Sequence, residues 1–240
     1  MKGARFADIM RKNSMKGYEK TMIKAVMFDL DGTILSTLDD LAASLNAALV
    51  QTGLARKTID EVRELVGNGV KWMCAHAIGA AEDDAQTGAL LAAFRAHYSV
   101  HMNDTTKPYP GIVPLLAALH GAGIKCAVVS NKYEAAVKDI CRLHFGDAFD
   151  EAVGETEGVA HKPAPDELIE AMRRLGVSPG ECVMVGDGAQ DILAGKNARC
   201  RTIGVTWGFR TRALLEESGA DHIVDTAEEL EKLLLDGRGV

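Results

Sequence analysis

What most constrains the fold of this chain is a series of short apolar runs, each ending in polar or glycine residues. They are "IKAVMFDL" (23–30), "IKCAVVSN" (124–131), "CVMVGD" (182–187) and "CRTIGVTW" (200–207), with "DHIVDT" (221–226) as a shorter fifth. Unbroken runs of this length suit strands covered on both faces, as in a parallel sheet. Amphipathic helical patterns lie between them: "IVPLLAALHGAG" (112–123) before the second run, "YEAAVKDICRLHF" (133–145) after it, and "DELIEAMRRLG" (166–176), which stops at Gly176. This alternation predicts an α/β fold with a doubly wound parallel-sheet (Rossmann-like) core.

Residues 37–105 break the rhythm, with helical patterns and no good strand. Leu38, Leu41, Ala42, Leu45 and Leu49 form an apolar stripe at helical spacing. "TIDE" (58–61) has the form of a capping box, and "VKWMCAHAI" and "LLAAFRAHYSV" also read as helices. The expected division is an N-terminal extension (1–22), a first part of the core (23–36), a small helical cap domain inserted after the first strand (37–105) and the second part of the core (106–240). "NDTTKPYPG" (103–111) serves as the return linker. The extension is basic and lacks the apolar centre of a signal peptide. Met15 and Met22 within it are alternative starts, and it is expected to be loosely docked.

The balance of 47% hydrophobic and 25% charged residues is that of an ordinary globular chain. A formal net charge of -7 argues against a nucleic-acid or anionic-membrane surface. No apolar run approaches the ~18 residues of a membrane span. The five cysteines, Cys74, Cys126, Cys141, Cys182 and Cys200, are odd in number and form no C-x-x-C. They read as reduced core residues, which implies a cytoplasmic setting. A monomer and a homodimer are both compatible with the sequence.

Ligands of open parallel sheets bind at the carboxyl ends of the strands. The first run delivers Asp29, Asp31, Gly32 and Thr33 there, the second Ser130 and Asn131, and the third Asp187 with Asp191 one turn on. Lys162 comes from the loop "HKPAPD". Clustered carboxylates repel one another, and a hard divalent cation with oxygen ligands, Mg²⁺, resolves this. A cation, a lysine and backbone N–H groups make a site for a phosphoryl group. One aspartate can then act as covalent nucleophile. A second, two residues on and pointing the same way off an extended strand, can protonate the leaving oxygen and later activate water.

This constellation resembles the haloacid dehalogenase-like superfamily, and within it the phosphoglycolate phosphatases. "DLDGT", the serine of "VVSNK", "HKPAPD" and "GDGAQD" match its four motifs in order, and the likeness extends over residues 23–230. "LVGNGVKWM" (65–73), "YPGIVPLLAALHGAGIKCAVVSNK" (109–132) and "IGVTWGF" (203–209) carry the closer likeness. The resemblance implies Asp29 as nucleophile and Asp31 as general acid/base. It implies Mg²⁺ held by the Asp29 carboxylate, the Asp31 carbonyl and Asp187, with Asp191 supporting. It also implies Ser130 and Asn131 on the phosphoryl group, Lys162 neutralising charge, and Gly32 letting the backbone pass close to the phosphate, with Thr33 beside it. The activity implied is Mg²⁺-dependent hydrolysis of a small phosphorylated metabolite through an aspartyl-phosphate, 2-phosphoglycolate first among candidates. A pyrophosphatase, a sugar-phosphate phosphatase and a phosphomutase would keep every core motif, although Thr33 favours hydrolysis over the mutases, which often carry valine there. A non-catalytic binding module would not need the intact set. Two residues depart from the family pattern: His76, where an arginine is expected, and Arg199, in place of a glycine before the next strand.

Plainer readings stand beside several of these. Ser130 could cap the helix that follows, Asp191 could be a first-turn helix acid, and Lys162 alone would be a solvated lysine. His97 and His101 have a zinc-compatible spacing but no matching third ligand, so a helix end is expected. "VGNGVK" (66–71) is either an interhelical turn or a loop bringing Asn68 or Lys71 to the leaving group. Trp72 is expected in the cap core. "SPGE" (178–181) is expected to be a false capping-box match because a strand follows. Neither G-x-G-x-x-G nor a P-loop is present, so a nucleotide-binding loop has no support.

Overall fold

In the computed structural model, which describes residues 22–236, each of the five apolar runs contributes a strand to one parallel sheet. In chain order the strands are β1 (Ala25–Phe28), β2 (Leu35–Ser36), β3 (Lys107–Pro108), β4 (Lys125–Tyr133), β5 (Glu151–Glu155), β6 (Cys182–Gly186), β7 (Arg201–Val205) and β8 (His222–Val224). The helices are α1 (Leu38–Gln51), α2 (Ile59–Leu65), α3 (Val70–Ile78), α4 (Ala85–His101), α5 (Ile112–Gly121), α6 (Glu134–Phe145), α7 (Asp166–Leu175), α8 (Ala189–Asn197), α9 (Arg212–Glu217) and α10 (Ala227–Leu235). The extension expected at residues 1–22 lies, but for Met22, outside the described residues.

The sheet order is β5-β4-β1-β6-β7-β8. The chain winds outward from β1 through β4 to β5, then returns to the other side of β1 and runs through β6 to β8. This is the doubly wound arrangement, with its switch point between β1 and β6. Alternation along β1 builds both layers. Val26 and Phe28 enter the core shared with α5, α6 and α10, while Ala25 and Met27 enter the one shared with α7 and α8. All four are fully buried, so a run without polar alternation is what this position demands.

Three local features differ from expectation. β5 was not foreseen: it is an edge strand, only Val153 and Gly154 within it are buried, and its composition carries little strand signal. The two-residue strands β2 and β3 were not foreseen either. They pair antiparallel, Leu35 with Pro108 and Ser36 with Lys107, and so zip together the two chain crossings that flank the helical insert. Finally, "SPGE" forms half of a capping box, the Ser178 hydroxyl donating to Glu181 instead of accepting from its N–H. Pro179–Glu181 form a single 3-10 turn, and the Glu181 carboxylate accepts from the Ser178 N–H at 2.9 Å and from Ser178 Oγ at 2.7 Å. A single turn is enough to leave orphan donors for such a box.

The insert, α1–α4, packs around its own apolar core, which includes Leu41, Ala42, Leu45, Leu49 and Phe94. Thr58 and Glu61 make the expected reciprocal capping box on α2. Asp40, in the first turn of α1, ties the insert to its return strand. Its carboxylate accepts from Thr105 N at 3.0 Å, Thr105 Oγ1 at 2.6 Å, Thr106 N at 2.9 Å and Thr106 Oγ1 at 2.7 Å. Burial opposes the Asp40 charge, but these bonds prevail and hold its pKa below the ordinary value. Arg199 takes a left-handed conformation, φ 60°, where glycine would be at ease. No helix among the described residues is long and apolar enough to cross a membrane.

Candidate active site

Because β1 lies between β4 and β6, the carboxyl ends of these strands deliver Asp29, Ser130 and Asp187 to one point. Asp29 is anchored by its N–H to the Val185 carbonyl at 2.9 Å. Lys162, 2% exposed, donates to Asp29 Oδ1 at 2.7 Å, Asp191 Oδ1 at 2.7 Å and the Val129 carbonyl at 2.8 Å. It is therefore the opposite of a solvated lysine. Asp187 accepts from Thr33 Oγ1 at 3.2 Å and from the Phe209 N–H at 2.7 Å. Asp191 does act as a first-turn acid, accepting from the Gly188 N–H at 3.0 Å, while its other oxygen faces Lys162.

Asp29, Asp187 and Asp191 each bring one carboxylate oxygen within 4.8 Å of the other two. Burial raises the Asp29 pKa well above the ordinary range against the pull of Lys162, and the charges of Asp191 and Asp187 add to the rise. Burial, then Asp191, pushes Asp187 up to about 7. Burial disfavours the Lys162 ammonium, yet Asp191 and Asp29 outweigh it and raise its pKa. Three carboxylates against one ammonium leave two negative charges uncompensated in a buried site, and a hard divalent cation with oxygen ligands would balance them. The donor set fits such an ion. Among the described residues no other group of His, Cys, Asp and Glu converges in this way. His97 instead bonds Ser44 Oγ at 3.0 Å, and His101 bonds Asp104 at 2.8 Å.

Asp31 stands apart from the three. β1 stops at Phe28 and the backbone turns through Gly32, φ 93°, so Asp31 enters the cavity from a turn and not from an extended strand. Its carboxylate faces Lys132 Nζ at 3.2 Å. A Cβ on Gly32 would sit 2.6 Å from Asp187 Oδ2, so the tight constraint on this glycine is room for Asp187. Ser130 lines the cavity, and its Oγ accepts from the Lys132 N–H at 3.3 Å. It does not cap α6, which begins at Glu134 with Tyr133 in the capping position. The side-chain amide of Asn131 donates to the Gly67 and Lys162 carbonyls, both at 2.9 Å, and accepts from the Lys162 N–H at 2.8 Å.

The insert closes over this group. The cavity is lined from both sides, by the strand-end residues and by the insert. Its far wall is apolar, formed by Leu41, Val66, Val70, Met73 and Phe209. Lys132, Gln190 and Arg210, which sequence reasoning did not single out, also line it. Lys132 is buried and donates to Tyr98 Oη at 2.6 Å as well as to Asp31. Burial works against its charge, but Asp31 and Tyr98 raise its pKa overall. Its place directly after "SN" was the available signal. Asn68 does not line the cavity but accepts from Gln190 Nε2, which does, at 2.5 Å. Lys71 is exposed and does not line the cavity. Trp72, half-buried, stacks on exposed His76 at 3.6 Å, so the His76 departure lies outside the cavity.

Fold and site together define a sheet-edge acidic centre closed by a helical insert, and the family model of the haloacid dehalogenase-like hydrolases matches residues 26–205. The chain belongs to that family. Within it, the chain is similar to the phosphoglycolate phosphatases and stands among phosphoric monoester hydrolases. It is 36% identical to a phosphoglycolate phosphatase of Agrobacterium fabrum over 83% of this chain and 87% of that one. It is 33% identical to an N-acetylmuramic acid 6-phosphate phosphatase of Pseudomonas aeruginosa over 88% of this chain and 95% of that one. A protein of Lactobacillus delbrueckii subsp. bulgaricus, crystallised as a candidate phosphoglycolate phosphatase, superposes with a TM-score of 0.84 at 36% identity, covering 89% of this chain and 99% of that one.

Proposed function

We propose that this chain is a Mg²⁺-dependent phosphatase of a small phosphorylated metabolite, 2-phosphoglycolate foremost, working through an aspartyl-phosphate on Asp29. The observation that carries this reading is the buried cluster of Asp29, Asp187 and Asp191 on Lys162, with Asp31 held apart from it on Lys132. Asp29 attacks phosphorus while the bond to the leaving oxygen breaks, and Asp31 supplies that oxygen with a proton. Asp31 then takes a proton from water, whose oxygen displaces Asp29 and releases phosphate. A bound Mg²⁺, held by the Asp29 and Asp187 carboxylates and the Asp31 carbonyl with Asp191 behind, would neutralise the excess negative charge and polarise the phosphoryl oxygens. Lys162 orients Asp29. Ser130, with the backbone at Asn131, Gly32 and Thr33, is assigned to the phosphoryl oxygens, because the Asn131 side chain is engaged elsewhere.

We assign residues 37–105 as the cap that excludes water and selects the leaving group. Lys132 has three N–H groups and two partner residues, so it can also meet a leaving-group carboxylate. The first turn of α3, where Gly69 and Val70 line the same cavity, adds a favourable dipole. The five buried free cysteines support a reducing, cytoplasmic setting.

The test is phosphate release from a panel of 2-phosphoglycolate, a sugar 6-phosphate, a sugar 1-phosphate and pyrophosphate, with Mg²⁺ and with chelator. Release from 2-phosphoglycolate that stops on chelation and in Asp29→Asn is expected. Preference for the sugar 6-phosphate or for pyrophosphate would overturn the substrate assignment, and isomerised sugar phosphate would point to a mutase. Turnover undiminished in Asp29→Asn, or metal binding with no turnover at all, would overturn the mechanism.

A further inference from the structure

Three side chains from the sheet side of the molecule grip the cap at the end of α2 and the turn into α3. Arg210 Nη1 donates to the Arg63 carbonyl at 2.5 Å, and Nη2 donates to the Glu64 and Val66 carbonyls at 3.2 and 2.7 Å. Asn131 Nδ2 takes the next carbonyl, Gly67 O, and Gln190 Nε2 takes Asn68 Oδ1. These contacts fall on the C-terminal end of α2 and the turn into α3. The last carbonyls of a helix lack intrahelical donors and carry the negative end of its dipole. A guanidinium, planar and always charged, can span three such carbonyls, whereas an ammonium is a point donor.

Each gripping residue is tied to a group of the candidate centre. Asn131 follows Ser130 and binds the Lys162 backbone through both its N–H and its carbonyl. Gln190 precedes Asp191. Arg210 follows Phe209, whose N–H donates to Asp187 Oδ2 and whose ring packs against the cap core. Gly208 lies so close that a Cβ there would sit 2.4 Å from Asp187 Oδ2. The segment 208–210 therefore touches Asp187 at one end and the cap at the other, and displacing either end moves the other.

We infer that Arg210 is a positioning residue for the reaction proposed above: it latches the cap at the C-terminal end of α2 and, through Gly208 and Phe209, sets the Asp187 carboxylate when the cap is closed. It touches no reacting atom. The inference rests on the proposed phosphatase reading for its kinetic arm and on geometry alone for its exchange arm.

The test compares wild type with Arg210→Lys, Arg210→Gln, Gln190→Ala and the control Arg212→Gln, whose guanidinium pairs with Asp225 on the surface. Two quantities are read: kcat and KM for the phosphoester that wild type hydrolyses, and hydrogen exchange of amides 59–73 with Mg²⁺ and beryllium fluoride as the probe. Arg210→Lys, with an unchanged melting temperature, is expected to lose about ten-fold or more in kcat while KM moves less. Its amides 59–73 are expected to exchange about ten-fold faster. Gln190→Ala, which removes a single bond, is expected to shift both in the same direction by about three-fold. If the Arg210 variants do not fold, Gln190→Ala decides. The latch is refuted if Arg210→Lys, or Gln190→Ala in its stead, matches Arg212→Gln in exchange, or if kcat falls with no change in exchange. Should wild type hydrolyse nothing, the phosphatase reading fails and the exchange arm alone decides the latch.

Discussion

Glu167 sits in the first turn of α7, fully buried, with neither carboxylate oxygen hydrogen-bonded. Burial raises its pKa from 4.5 to about 7, against the attraction of the Lys162 ammonium and the approach of the Lys162 backbone N–H, which falls short of a well-formed hydrogen bond, and with some help from Glu155 and Asp191. An acid whose folded pKa exceeds its unfolded value keeps its proton longer in the folded state. Stability then falls as pH rises from 4.5 to about 7 and is level outside that window. That is the reverse of a salt-bridged carboxylate. At about 1.4 kcal/mol per pH unit, the ionised side chain costs the fold about 3 kcal/mol. Glu167→Gln reproduces the shape and neutrality of the protonated acid. The variant is expected to match wild type near pH 4.5 and to exceed it by up to about 3 kcal/mol near pH 8. Urea unfolding of both proteins across this range measures the difference, in which all other titrating groups cancel. A difference that stays flat with pH would show that the folded pKa is not raised, and a variant less stable than wild type near pH 8 would show an ionic partner in the folded protein; either would refute the reasoning.

Two further substitutions probe the frame around the site. Asp40→Ala removes the acceptor of four bonds that join α1 to the return strand and is expected to cost about 3 kcal/mol. Because the folded pKa of Asp40 is lowered, its contribution is present above 3.8 and lost as pH falls through the folded value. A loss below about 1 kcal/mol in urea unfolding at neutral pH would contradict this account. Arg199→Gly relieves a left-handed residue whose side chain is exposed. Relief of about 1–2 kcal/mol, less the added freedom of glycine in the unfolded chain, leaves a gain of about 0.5–1 kcal/mol. A melting temperature at or below that of wild type would argue against it.

The sheet and the acids at its edge were legible because both signals are local. An unbroken apolar run such as "AVMF" suits a doubly covered strand, and a carboxylate at the end of one needs a partner. β5 was not legible, since an edge strand half open to solvent has no such pattern. Glu167 was hidden for a related reason. On a helix whose buried face runs through Leu168, Ala171, Met172 and Leu175, a neighbouring glutamate reads as solvated until the packing of α7 on the sheet encloses it.

Lys132, Gln190 and Arg210 were missed for a deeper reason. Each acts across the gap between the insert and the sheet, joining residues separated by 34 positions for Lys132 and Tyr98, 122 for Gln190 and Asn68, and 144 for Arg210 and Val66. No periodicity or local spacing encodes such a meeting. It follows from two facts taken together: the insert leaves the core directly after β1, and β2, β3 and Asp40 hold both its crossings at the edge where the acids lie. Once the insert is fixed there, the end of α2 must come down on whatever the β4, β6 and β7 loops present. A chain that puts Asn131, Gln190 and Arg210 at those three points has tied the closing of its cavity to the groups that line it.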